Sequence, residues 1–147
     1  MDAELKGPWD KGQVQAYLRE VRFPLRLACV GADGYPRVVS VWYQFDGQQL
    51  YGASHRSSQL VGLLQKSPRV GFEVAPNEPP YRGVRGQGIA TLHEEGGGAM
   101  LEGLLQRYLG DTESGLARWL LSRAEEEMLI SIRPERLFSW DYTDRMS

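Results

Sequence analysis

The sequence predicts a mainly-β fold of the α+β class, a small antiparallel barrel with peripheral helices. Three observations predict it. Apolar, β-branched runs follow one another across short turn signals, as at Gly31-Ala32-Asp33-Gly34-Tyr35-Pro36 and Asp46-Gly47. Strands and helices do not alternate regularly, which argues against a doubly wound parallel sheet. Tyr81 to His93 reads as one long strand holding Gly83, Gly86 and Gly88, and glycines inside a strand mark bulges or close approach of another group.

The elements follow in order. Asp10 can cap a short helix running to about Val21, with Val14, Leu18 and Val21 on its apolar face and Pro24 beyond its end. Residues 1–24 are thus expected to form a helical segment packed on the barrel. Leu25–Val30, Arg37–Phe45 and Gln49–Ala53 read as three strands of an antiparallel meander. A helix is expected from about Ser58 to Lys66, with Leu60, Val61 and Leu64 inward and Pro68 past its end. Arg69–Val74 alternates apolar and polar, as a half-buried strand does. Pro76-Asn77-Glu78-Pro79-Pro80 is a loop before the long glycine-bearing strand. After Gly96-Gly97-Gly98, Met100, Leu101, Leu104, Leu105, Tyr108 and Leu109 recur at helical spacing as a core stripe, and Gly110 closes that helix. A further helix is expected from Ser114 to about Ala124, with Leu116, Trp119 and Leu120 inward. Met128–Arg133 and Glu135–Tyr142 complete about six strands, joined around Pro134. No repeat or long linker interrupts the pattern, so the 147 residues are read as one domain.

Composition narrows the function. With 17 Lys+Arg against 19 Asp+Glu, no basic excess points to nucleic acid. No apolar run approaches the roughly 20 residues of a membrane span, and Met1-Asp2-Ala3-Glu4 shows no signal pattern, so a cytoplasmic protein is expected. The single Cys29 excludes an internal disulfide, and its apolar setting suggests a buried, inert thiol. His55 and His93 are the only histidines, without metal-ligand spacing, so no metal site is expected. Neither a nucleophile elbow nor a P-loop is present. Gly83-Val84-Arg85-Gly86-Gln87-Gly88 only superficially resembles a dinucleotide fingerprint, since it continues as strand rather than opening a helix. Glu94-Glu95 and Glu125-Glu126-Glu127 read as solvated surface.

The most informative stretch is Ala53-Ser54-His55-Arg56-Ser57-Ser58-Gln59-Leu60, where a strand ends, hydroxyls and a cation follow, and a helix begins. A helix N-terminus leaves amide N–H groups free and attracts anions. Ser54, Arg56, Ser57 and Ser58 are therefore candidate phosphate ligands, although Ser57 or Ser58 could simply cap the helix. Arg82 and Arg85 on the glycine-bearing strand are either solvated or supply charge to a flat ligand passing close to the backbone. Phe138-Ser139-Trp140-Asp141-Tyr142 is aromatic enough to dock this end of the chain, within the fold, on a pocket or on a second subunit.

These pieces in this order resemble the FMN-binding split-barrel family related to pyridoxamine 5′-phosphate oxidase. The resemblance runs from about Leu25 to Tyr142 through RVVSVWYQFDGQQLYGAS, LLQKSPRVGFEV, YRGVRGQGIATL and RPERLFSWDY. It implies a six-stranded antiparallel split barrel forming homodimers, with a flavin at each of two interface sites. Val38, Val39, Ser40 and Val41 would touch the isoalloxazine through their backbone, and Arg37 would lie on the phosphate side with Ser54, Arg56, Ser57 and Ser58. The partner would contribute the strand bearing Arg82, Arg85 and Gln87, and Trp140 would lie near the ring. Many relatives carry a Lys where this chain has Leu60, and Arg56 or Arg37 could replace it. The implied activity is FMN-dependent hydride transfer between flavin N5 and a small organic substrate or NAD(P)H. Tyr81, Arg82 or Arg85 could hold an anionic substrate, and no side chain is required as nucleophile. The resemblance also admits a deazaflavin-dependent reductase, or a flavin- or haem-binding protein without turnover.

Overall fold

A computed structural model describes Met1 to Ser147. The apolar runs pair into one curled sheet. Its strands are β1 (Glu4–Lys6), β2 (Leu25–Val30), β3 (Pro36–Val41), β4 (Gln44–Phe45), β5 (Leu50–His55), β6 (Arg69–Val74), β7 (Arg82–His93) and β8 (Glu127–Asp141). Their order across the sheet is β3-β2-β6-β7-β8-β5-β4, antiparallel throughout, with β1 added in parallel to β8. The six long strands are those the sequence suggests, and β1 and β4 are short additions. Leu25, Leu27, Leu50, Val74, Val84, Ile130 and Leu137 are at most 1% exposed and fill the interior. Each such side chain contributes about 1.5–3 kcal/mol of burial.

Two strand expectations are corrected. The predicted strand Arg37–Phe45 breaks at Trp42-Tyr43, so no three-strand meander forms. β3 pairs with β2 and β4 with β5, at opposite ends of the sheet, and the two broken-out residues carry the chain from one end to the other. Aromatic anchoring overrides strand propensity there. Tyr43 donates its O–H to the Leu18 carbonyl at 2.8 Å, and Trp42 stacks on Tyr108 at 5.3 Å and 7°. The barrel is therefore split where β3 and β5 approach without pairing. Conversely, the two expected C-terminal strands are one. A register shift between Gln87 and Gly88 takes up the extra residue, pairing Gln87 with Arg136 and Gly88 with Pro134. The bulge accommodates a proline that has no N–H to donate. Gly88 is required there, because a Cβ would lie 2.3 Å from the Arg133 carbonyl oxygen.

Four helices flank the sheet: α1 (Lys11–Glu20), α2 (Gln59–Lys66), α3 (Gly97–Leu109) and α4 (Gly115–Leu121). Asp10 and Gln13 form a reciprocal capping box on α1. Gly110 ends α3 in the left-handed conformation, at φ 77°. The last helix departs from expectation: Leu116 and Trp119 are more than half exposed, and Ala117 is the buried residue, packed on Leu101 and Leu105. No helix is long and apolar enough to cross a membrane.

Candidate functional site

Where β3 faces β5 across the split, a cavity of about 410 Å³ opens. Val39, Ser40, Val41 and Trp42 all line it. Consecutive residues of a strand point to opposite faces, so Val39, Ser40 and Val41 border one space together along the edge of β3. An unpaired edge presents backbone N–H and C=O groups. Ala53, Ser54 and His55 of β5 border the cavity from the other side, with Leu60 of α2, Leu101 and Leu104 of α3, and Leu120 of α4. Arg123 and Glu127, either side of a short 3-10 turn, are its charged residues besides His55.

The strand-to-helix turn is closely bonded. Ser58 is the α2 cap, its Oγ accepting from Val61 N–H at 3.1 Å, and Ser54 Oγ lies 2.8 Å from Ser58 Oγ. The amides of Gln59 and Leu60, in the first turn, make no bond within the chain. Nδ1 of His55 accepts the Ser57 N–H at 3.1 Å and lies 2.7 Å from Ser57 Oγ. Its other ring nitrogen, Nε2, faces the Glu126 carboxylate.

Glu127 is the unusual member. The triple-glutamate run reads as solvated surface, yet this residue is only 9% exposed. It sits directly across the β5–β8 ladder from His55. Burial raises its carboxyl above the ordinary carboxylate range, against the opposing pull of His55 and then Arg123.

A second depression of about 540 Å³ lies on the outer face of the sheet, across β2, β3, β6 and β7. Gly71 and Gly86 line it, and a Cβ on Gly86 would meet the Arg136 carbonyl oxygen at 2.7 Å. Arg85 crosses it with its guanidinium 5.8 Å from the Phe138 ring and 5.5 Å from that of Trp140.

The residues singled out from the sequence therefore divide. Val39, Ser40, Val41 and Ser54 border the cavity. Val38, Arg85 and Gln87 border the outer trough, with Trp140 packed on Arg85. Ser57, Ser58, Arg56 and Arg82 line neither. Arg37 is held in the β2–β3 turn by Asp33, at 2.9 Å, and by the Tyr35 carbonyl, at 3.0 Å, so it does not reach the cavity. Arg56 is exposed. The cation at the cavity is Arg123, which no motif in the sequence marks.

The family model for pyridoxamine 5′-phosphate oxidase matches residues 11–141. The chain belongs to this family. Among curated proteins no sequence matches. Solved structures of similar fold include the conserved hypothetical protein Rv2991 from Mycobacterium tuberculosis, with TM-score 0.78 and 23% identity over 95% of this chain and 89% of that one. An F420 reductase gives 0.71 and 24%, over 88% and 97%. The haem storage protein HutZ from Vibrio cholerae gives 0.65 and 20%, over 86% and 92%.

The flavin implied by membership in the pyridoxamine 5′-phosphate oxidase family can be tested against these residues. A planar, largely apolar ring suits the Leu101, Leu104 and Leu120 walls, and the free β3 edge offers it backbone hydrogen bonds. The uncharged parts of a flavin thus fit the cavity. A dianionic phosphate inside it does not, because Glu127 offsets the one arginine there.

Proposed function

We propose that this protein is a flavin-dependent oxidoreductase working as a homodimer, with the ring lodged along the edge of β3. One observation carries the reading: in a chain of this family, an unpaired strand edge borders an apolar cavity of about 410 Å³. The flavin would supply hydride transfer. The chain's own residues bind, orient and exclude water: Val39, Ser40 and Val41 through the backbone, and Leu101, Leu104 and Leu120 through apolar cover. The outer trough, with Val38 at 68% exposure and Tyr35 at 70% beside it, is the surface a second copy would cover. That copy would bring Arg85 and Gln87 toward the bound ring, where a small anionic substrate or NAD(P)H could be held.

A deazaflavin is the second reading. The similarity to an F420 reductase favours it, as does the lack of clustered basic residues at the cavity. Haem is less well supported, because Nε2 of His55 is engaged by Glu126 and that of His93 lies 2.8 Å from Ser131 Oγ. Nε2 of each imidazole is thus already engaged.

The deciding experiment is to purify the protein without added cofactor, record its visible spectrum and identify any released chromophore by mass. The proposal expects a flavin or deazaflavin, and NAD(P)H or substrate oxidation when that chromophore is saturating. A Soret band, or tight flavin binding without turnover, would overturn the enzymatic reading.

A further inference from the structure

We infer that Glu127 makes the cavity selective for uncharged, hydrogen-bond-donating groups of its ligand and against phosphate, so that the protein binds riboflavin at least as tightly as FMN. The inference rests on the flavin reading above. His55 and Glu127 are direct cross-strand partners, so their side chains share one face of the sheet, and both border the cavity. Glu127 is about nine-tenths buried, and neither a hydrogen bond nor an ion pair within the chain satisfies its carboxylate. Its oxygens keep accessible surface at the cavity, so a ligand entering there can supply the donor that the chain does not.

The local charges decide which donor. His55 faces the Glu126 carboxylate, which offsets any charge on its ring, and Arg123 and Glu127 add one positive and one negative charge. A dianionic phosphate brought among them gains from Arg123 and loses to Glu127, while surrendering its hydration. A ring imide N–H or a ribityl hydroxyl instead gives the carboxylate the hydrogen bond it lacks. A phosphate left outside the cavity would meet the exposed Arg56 and Ser57 and the first amides of α2, contacts that solvent weakens.

The test is fluorescence titration of the full-length protein and its Glu127→Gln variant with riboflavin and with FMN, after circular dichroism has shown that the variant is folded. The expected result is a wild-type Kd for riboflavin equal to or below that for FMN. In Glu127→Gln, FMN should tighten at least tenfold relative to riboflavin. A tenfold wild-type preference for FMN that persists in Glu127→Gln overturns the inference and leaves the flavin reading intact. If neither flavin binds, the flavin reading fails, and thermal shifts with inorganic phosphate judge Glu127 alone. Stabilisation of Glu127→Gln but not of the wild type upholds its selectivity, whereas an equal response or none in both proteins overturns it. Should Glu127→Gln not fold, Glu127→Ala takes its place with the same outcomes.

Discussion

The cavity and the outer trough share strand β3 but are built differently. The cavity is bordered by side chains that also pack the interior: Leu104 is 2% exposed, Leu60 8% and Leu101 6%. The trough is bordered by glycines, by Val38 at 68% exposure, and by an arginine lying over two rings. One site is therefore coupled to the stability of the fold, and the exposed side chains of the other can change with little cost. A ligand in the first is held by the core, and whatever covers the second is held by shape and charge alone.

The comparison can be broken or sharpened by substitution, beginning with the largest effect. Leu104→Ala should lower stability by about 2–5 kcal/mol in urea unfolding and weaken flavin binding with it, because the side chain belongs to both core and cavity. Equal loss from truncating an exposed trough side chain, as in Val38→Ala, would remove the distinction. Gly86→Ala is the exception within the trough. Its Cβ would press on the Arg136 carbonyl at 2.7 Å and Phe72 Cζ at 2.8 Å, costing about 1–3 kcal/mol.

Glu127→Gln should raise the melting temperature at pH 7. Burial lifts this carboxyl above its ordinary 4.5, opposed by His55 across the ladder and by Arg123. The native state therefore holds the proton more firmly than the unfolded chain, and the ionised carboxylate weakens the fold at pH values above its raised pKa. The penalty shrinks as pH falls and is absent below 4.5, so the gap between wild-type and Glu127→Gln melting curves should close toward pH 4. A gap that stays constant with pH would refute the buried-carboxylate account. Smallest of all, Val38→Asp should change stability by less than about 0.5 kcal/mol, since the side chain is 68% exposed. Sedimentation should nevertheless show a dimer weakened or lost, and an unaltered dimer would place the interface elsewhere.

The fold was largely legible in the sequence, and the cavity only partly. Strand and helix periods located the long elements, β8 as two pieces either side of Pro134, because burial patterns repeat locally, as in the alternation of Arg69–Val74. The hairpin signal at Asp46-Gly47 was read correctly, but the break at Trp42-Tyr43 was not, because aromatic residues favour strands and their anchors, Leu18 and Tyr108, lie far along the chain. Leu116 and Trp119 misled for a related reason: in α4 the small Ala117 gives the closest approach to α3, a preference hydrophobicity alone does not express. Arg123 was missed because it stands alone with no motif around it, and Glu127 because it ends a run of three glutamates from which only the β5–β8 register singles it out for burial.

The short crossing at Trp42-Tyr43 constrains how the cavity can be filled. Two residues tie one end of the sheet to the other, and the tyrosine is pinned to α1 at Leu18. The strands on either side of the opening are thus leashed and cannot be prised apart. The compliant side is α4, seven residues long with Ala117 as its single buried anchor. A ligand's residence time is therefore expected to depend on the α3–α4 contact more than on the sheet.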